Sequence, residues 1–558
     1  MLKRRGKPMK SIRALVLGIL FLLPLIASPL FRVNAQSGTS DDPAIKIWIN
    51  WDVPSDFREM LSPLWELDGY EEVINREQAQ LELTYTGSGG AITSQWLYVP
   101  VVPFATFADA ISFSDIQRYW QGDGAALSSL TPDNLPAQLI VTSSTLEAMT
   151  LFLGEPDSEA PIQVVPKDAL LAQLWEQRPY AWSMVAFNDL TPDLKALAVD
   201  RVDLFSDDFS IVDYPFSVEI GLTGDDQSVV GQAVEDLLVA GTWRGTNRDS
   251  SHLTRIVLSG VTALTRATGY AMETRGMTLP GEAILPFIQD ADLFHTSNEV
   301  PFSVQCPYPD PNLGNTVFCA SDDYMELLEY IGLDVVELTG NHVNDYGPGA
   351  LRHTLELYDE AGMAYFGGGA TPEEARAPWV TEHNGNTIAF IGCNLPGPFK
   401  AWVSDERPGA APCDDDFLAE ELPRLASEVD ILIMTVQHYE FYRYQVPTAQ
   451  LQMFTNFAGL GADVVIGSQA HQPQGFTFTP RFDQNVAFLH HGLGNLFFDQ
   501  MADIGTRQMF MDKLIIYDGE LISVQLFTGL IEDYCCPRPM TNGERNSFLA
   551  TIFEASGW

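Results

Sequence analysis

Between Arg255 and Asn495 the chain repeats one pattern: a short apolar run, a glycine or metal-ligating side chain at its end, then a helix-like segment. Arg255-Ile-Val-Leu-Ser ends at Gly260, Asp334-Val-Val-Glu-Leu at Gly340-Asn341-His342, and Thr387-Ile-Ala-Phe-Ile at Gly392. Ile431-Leu-Ile-Met-Thr-Val ends at Gln437-His438, Asp463-Val-Val-Ile at Gly467 with His471 close behind, and Val486-Ala-Phe-Leu at His490-His491. Short apolar runs alternating with helical segments predict buried parallel strands in an α/β layer fold. Open α/β sheets bind ligands at the carboxyl ends of their strands, which is where these polar residues fall.

The region before this repeat differs. All nine histidines lie between His252 and His491, and all six cysteines between Cys306 and Cys536. Residues 44–241 therefore offer no imidazole or thiol chemistry. They still carry strand-like runs at Ala44–Asn50, Gln95–Phe104, Gln138–Thr142 and Ala181–Phe187. A helix is expected over Asp115–Trp120, opened by Ser114 and closed by Gly122. The polar, turn-rich residues 242–252 read as a linker, followed by a second domain over 253–535 and a C-terminal extension over 536–558.

The amino terminus has six basic residues before Ala14, an apolar run to Ala27, and Val33-Asn-Ala35 before Gln36. This is the three-part pattern of a signal peptide over residues 1–35, with 36–43 as a flexible segment. An uncleaved anchor is the alternative. Export to an extracytoplasmic, secreted or surface-associated location follows, with no transmembrane segment after cleavage. The full chain has 31 basic and 74 acidic residues, a net charge of −43. Such a surface repels nucleic acid and other polyanions. In an oxidising compartment Cys306 with Cys319 and Cys393 with Cys413 are plausible pairs, while the adjacent Cys535 and Cys536 are left open.

Residues 44–222 resemble solute-binding proteins of the phosphate-binding type, in Val101-Val-Pro-Phe-Ala, Ile111–Gly122, Leu190–Asp200 and Tyr214-Pro-Phe-Ser-Val. That likeness implies a two-lobed α/β domain with room for a small ligand, or a docking module built on the same shell. Residues from about Thr254 to Ile531 resemble the CapA family, named for poly-γ-glutamate capsule synthesis and related to calcineurin-like metallophosphoesterases. The likeness rests on Gly340-Asn-His-Val-Asn-Asp-Tyr-Gly347, Ala370–Pro378, Gly461–Gly467 with His471, Gly492–Asp499, and Glu299 with Pro301.

The CapA resemblance implies a four-layer α/β/β/α sandwich with a metal centre between its sheets. Glu299 would bridge two ions, with Asn341, His438 and Gln469 serving one and Val261 and His471 at the other. His342, oriented by Asp345, would protonate the leaving group. A bridging carboxylate and neutral imidazoles suit divalent ions of the Mn, Zn or Fe type.

The chain departs from the family pattern at Val261, which cannot ligate, and at Gln469, Tyr442 and Gly492. The expectation is therefore a single ion on Glu299, Asn341, His438 and Gln469 in preference to two, with Thr262 or His295 as stand-ins at the second position. A decayed site with no ion is the alternative. The implied role is in capsule or cell-envelope polymer synthesis, as a metal-dependent hydrolase or as a non-catalytic scaffold. The polymer or its precursors would be the partner.

Overall fold

The computed structural model describes residues 44–558 apart from 88, 313 and 315, so the expected signal peptide lies outside the described residues. The first domain is built on one nine-stranded sheet. Its long strand Ile92–Pro103 is shared by two lobes. Residues Ile92–Leu97 pair antiparallel with Ser217–Thr223, whereas Tyr98–Val101 pair antiparallel with Ala181–Ala186. The lobes therefore meet at the Leu97–Tyr98 step. The expected helix forms over Phe113–Trp120, preceded by Ser112 instead of Ser114. The two serine hydroxyls bond each other at 2.8 Å.

Residues 242–252 are stitched to this sheet. Asn247 is buried, accepting from the Leu97 N–H at 2.8 Å and donating to its carbonyl at 3.0 Å, so its amide imitates a neighbouring strand. Trp243 donates to the Thr93 carbonyl and packs its ring on Phe57.

The second domain has two sheets face to face. The first runs Ala364–Phe366, Val335–Glu337, Leu293–Asn298, Leu253–Thr262, Gln508–Tyr517, Glu520–Glu532 and Cys536–Pro539, with Asn495–Phe497 beside Leu253–Thr262. The second runs Trp379–His383, Asn386–Asn394, Ile431–Gln437, Val464–Ser468, Val486–His490 and Phe476–Pro480. Four adjacent strands in each are parallel.

Strand alternation sorts the side chains into layers. Ile256, Leu258 and Phe366 meet Ile388, Phe390, Ile433 and Ile466 between the sheets. Leu432, Met434 and Val436 face outward with Leu422 and Phe454 of the helices Asp415–Ala426 and Thr448–Gly459. Helices Arg266–Arg275 and Pro348–Ala361 cover the other outer face. The result is the expected helix–sheet–sheet–helix sandwich, with both sheets buried on both faces. Central strands such as Ile431–Gln437 and Val464–Ser468 are accordingly buried along their whole length.

The C-terminal residues complete this domain. Cys536–Pro539 adds an edge strand, and Phe548, Leu549, Ile552 and Phe553 of helix Asn542–Ala555 enter the layer between the sheets. The two domains form one compact unit over Ile45–Trp558. Phe104, at the end of the long first-domain strand, packs edge-on against Phe476 and Phe478 at 5.3 and 5.1 Å, and Phe187 does the same on Tyr517 at 5.0 Å. Cys306–Cys319 and Cys393–Cys413 are disulfide-bonded, and so is the vicinal pair Cys535–Cys536.

Candidate functional site

Parallel strands of both sheets deliver Glu299, Asn341, Gln437 and Gln469 to one point at their carboxyl ends. Glu299 follows strand Leu293–Asn298, and its N–H bonds the Thr262 carbonyl at 3.0 Å. Asn341 comes beside it because Gly340 lets the backbones touch. A Cβ at residue 340 would stand 2.7 Å from the Glu299 Cα, inside contact distance. Gln469 and His471 both have left-handed backbone, at φ 78° and 52°, a conformation non-glycine residues adopt at a cost.

The residue at the centre is Gln437, the last of strand Ile431–Gln437. Its amide nitrogen donates to Glu299 Oε1 at 3.1 Å, Gln469 Oε1 at 2.5 Å and Asn341 Oδ1 at 3.4 Å. Gln437 itself is fully buried and Glu299 nearly so. The orientation of this amide is fixed by a relay. The Gly397 N–H and the Trp402 indole N–H, which can only donate, both donate to Asn394 Oδ1, at 2.7 and 2.8 Å. Asn394 must therefore turn its NH2 the other way, donating to the Thr339 carbonyl at 2.7 Å and to Gln437 Oε1. With its oxygen so engaged, Gln437 can only present NH2 to the centre.

His438 was expected as the ligand from this strand, but the residue bonded to Glu299, Asn341 and Gln469 is its neighbour Gln437. Ile431 and Ile433 face the inter-sheet layer, so the period of two brings Gln437 to that face. His438 instead neighbours His491, whose ring stacks on Phe454 of the outer helix layer. The His438 ring lies against Tyr439 and its Nδ1 has no hydrogen-bond partner. Burial lowers its pKa to about 4, and burial followed by the charges of His490 and His438 lowers that of His491 to about 3.

His342 lies at the rim of the same edge. Its Nδ1 is 2.6 Å from Asp345 Oδ2, and Lys400 donates to the other Asp345 oxygen at 2.7 Å. The Phe318 ring packs 4.5 Å from the imidazole, and the Phe318 N–H also bonds Asp345. Burial alone pulls the His342 pKa down, but the bond to Asp345 and the charges of Glu299 and Asp345 outweigh it and raise the value. Burial pushes Asp345 up, and its bonds to His342 and Lys400 more than reverse that. Asp345 therefore orients the imidazole and favours its protonated form. The following helix Pro348–Ala361 starts after Gly347 without a side-chain cap, so neither Asn344 nor Asp345 caps it.

His471 is held separately. Asn495 donates its NH2 to the carbonyls of His471 and Thr506, which leaves Oδ1 to accept from His471 Nδ1 at 2.7 Å. The imidazole keeps a lone pair on Nε2, yet its expected companion position is the buried, apolar Val261. Neither stand-in helps. The Thr262 hydroxyl is bonded to Thr296 at 2.8 Å. His295 sits in the core between Phe366 and Phe390, its Nε2 3.5 Å from Glu337. His490 and His491 are fully buried as well, His490 on Asp512 at 2.5 Å.

Residues 255–500 match the family model described as "Bacterial capsule synthesis protein PGA_cap". The second domain is similar to the CapA family over these residues. A curated relative, the "Capsule biosynthesis protein CapA" of Bacillus anthracis, is 24% identical over 190 residues, 33% of this chain and 45% of its own length. The chain thus spans about half the length of the curated relatives it matches. Among solved structures, the calcineurin-like phosphoesterase YfkN from Bacillus subtilis is similar at 13% identity, with 55% of this chain and 98% of that chain covered and a TM-score of 0.31. An ABC-type phosphate transport receptor from Vibrio cholerae is similar at 11% identity, with 35% and 93% covered and a TM-score of 0.29.

The resemblance to the CapA family implies a metal ion between the sheets. Divalent ions need converging lone pairs, supplied by carboxylates, imidazoles or carbonyl oxygens. Here the three oxygens that converge, from Glu299, Asn341 and Gln469, are already directed at an NH2 group held from behind. Among the described residues no group of three or more His, Cys, Asp or Glu is arranged to hold an ion. The residues present do not fit a metal at this point.

The first domain has its own cleft, of about 550 Å³, lined by Trp51, Asp56, Arg58, Tyr98 and Lys167, with Thr142–Thr145 at the start of helix Ser143–Leu153. Asn188 donates across it to Asp56 at 2.8 Å, and Lys167 pairs with Asp189 at 2.7 Å. Glu520 of the second domain also lines this cleft. Among the described residues no helix is long and apolar enough to cross a membrane.

Proposed function

We propose that this chain acts outside the cytoplasm in the synthesis or handling of a capsule or cell-envelope polymer, and that its CapA-like domain binds and positions without hydrolysing. The family match and the names of the curated relatives support the polymer role. The amino-terminal charge and apolar pattern supports export. The observation that carries the non-catalytic reading is the Gln437 amide, which stands among Glu299, Asn341 and Gln469 and is locked there by Asn394. In this reading the cleft of the first domain takes a small ligand, and the tight aromatic junction reports its occupancy to the second domain.

A second reading, a one-ion hydrolase, is favoured by the His342–Asp345 pair, which places an oriented imidazole with a raised pKa at the same edge. Purified protein assayed on a phosphoester and on a γ-glutamyl peptide, with added Mn²⁺ or Zn²⁺, separates the two. The binding role predicts no metal-stimulated turnover. Metal-dependent turnover lost in His342→Ala would replace it with the hydrolase.

A further inference from the structure

We infer that Arg266, His342 and His471 form one recognition site for a carboxylate whose own carbon also carries an amide N–H. This rests on the polymer-handling reading and names the group by which the strand is held. Two rings tie the three residues together. The Phe318 ring lies 4.5 Å from the His342 ring and 4.8 Å from the Arg266 guanidinium. The Phe498 ring lies 5.1 Å from the same guanidinium and 5.3 Å from the His471 ring. The two phenylalanines are themselves 6.2 Å apart. Arg266 also has left-handed backbone, at φ 45°, as do Gln469 and His471 at the same edge. Non-glycine residues keep that conformation where the surrounding structure imposes it, most often at binding sites.

The nitrogens left over at this edge differ in role. Asp499 takes the Arg266 Nε at 3.1 Å and its Nη2, so Nη1 remains as a free donor among the described residues. The His342 Nδ1 is taken by Asp345, and the favoured protonated form carries a second N–H on Nε2. His471 is the reverse. Its Nδ1 donates to Asn495, so its Nε2 accepts. The nearby acids are engaged: Asp499 by Arg266 and the Ala267 N–H, Asp345 by His342 and Lys400, and Glu299 by Gln437. A cavity of about 60 Å³ opens beside Arg266, lined also by Tyr308, Tyr324, Tyr346 and Asp310. The Asp310 carboxylate there takes the Asn312 N–H at 2.9 Å. One water needs ~10–15 Å³, so the cavity has room for a group of a few heavy atoms.

Two donors beside one acceptor match a γ-linked glutamate unit. Its α-carbon bears both the carboxylate and the amide nitrogen. The carboxylate meets Arg266 and His342 through charge-assisted bonds, and the N–H meets His471. In an α-linked strand the carboxylate stands out on the side chain, away from the N–H, and the pattern is lost. The net charge of −43 repels both isomers equally at long range, so a preference between them reports contacts at the edge.

Calorimetric titration of the full chain with γ-linked and α-linked glutamate hexamers tests this. Each hexamer is acetylated at its amino end and amidated at its carboxyl end, so the two are equal in charge. The γ-linked hexamer is expected to bind about tenfold tighter or more. Arg266→Lys, which keeps a cation for Asp499, weakens that binding about tenfold. His471→Phe removes the acceptor and brings the two isomers within about threefold of each other. Arg424→Gln, which removes an exposed cation on helix Asp415–Ala426, changes neither affinity. Urea unfolding of each variant checks that it is folded, and His471→Phe carries the test if Arg266→Lys is not. The inference is overturned by no binding of the γ-linked hexamer, by equal or tighter binding of the α-linked one, or by a folded variant that keeps both affinity and preference. Those results leave the polymer-handling role standing. That role fails separately, if deleting the chain leaves the producing cell's capsule and envelope polymers unaltered.

Discussion

Two parts of one sheet edge have diverged in opposite ways. At the buried centre, Glu299, Asn341 and Gln469 each direct an oxygen at the Gln437 amide. At the rim, a few residues away, His342 stays partly exposed, oriented by Asp345, which Lys400 also binds, with its protonated form favoured. The centre now resembles a core polar network, whereas the rim is still set out as a place where another molecule is met. A fold can therefore keep the outline of a catalytic edge after the group at its middle has become structural.

The comparison can be broken most directly at Gln437. Gln437→Leu takes the donor away from a buried carboxylate and from the amide oxygens of Asn341 and Gln469, so a loss of ~3–5 kcal/mol is expected in urea unfolding. A loss below ~1 kcal/mol would mean that the network is not what holds the centre together. Asn394→Ala removes the lock on the amide together with the bonds to Gly397, Trp402 and Thr339, and should cost about 2 kcal/mol by the same measurement.

Acidity sharpens the contrast from both sides. His438 and His491 are held neutral by burial, at about 4 and about 3, below the ordinary imidazole value of ~6.5. Unfolding then takes up protons, so stability falls as pH drops from ~6.5 towards those values. His342 has the opposite sign. Its raised pKa contributes stability that is complete below ~6.5 and is lost as pH rises through its folded value. Asp345, lowered, contributes above its ordinary value and loses that as pH falls. Histidine NMR titration should find His342 titrating above the ordinary value, moving down in Asp345→Asn. A His342 titration below the ordinary value would contradict the rim's charge.

The smallest effect belongs to His342→Ala. At a partly exposed rim it should cost about 1 kcal/mol or less in the same unfolding experiment, against the larger loss at Gln437. Equal losses at the two positions would erase the distinction between centre and rim.

Much of this was readable from the sequence, and the exceptions share one cause. The apolar runs ending in polar residues predicted the sandwich, and Glu299, Asn341 and Gln469 do come together. The face of strand Ile431–Gln437 was not legible, because Ile-Leu-Ile-Met-Thr-Val is buried on both sides and no polar alternation marks which side meets the site. Two polar residues, Gln437 and His438, then follow in succession, and the imidazole drew the assignment that belongs to the amide. The burial of His490 and His491 was hidden in the same way, since adjacent histidines carry no sign that strand Val486–His490 is covered by both layers. Asn394 carried no signal at all, since its role depends on Gly397 and Trp402 folding back onto it.

The central claim is that an amide has taken the place of an ion. Elemental analysis of protein purified without chelator, followed by calorimetric titration with Mn²⁺ and Zn²⁺, tests it most directly. The account predicts substoichiometric metal and no saturable binding that depends on Glu299. One tightly bound ion per chain, lost in Glu299→Gln, would contradict it.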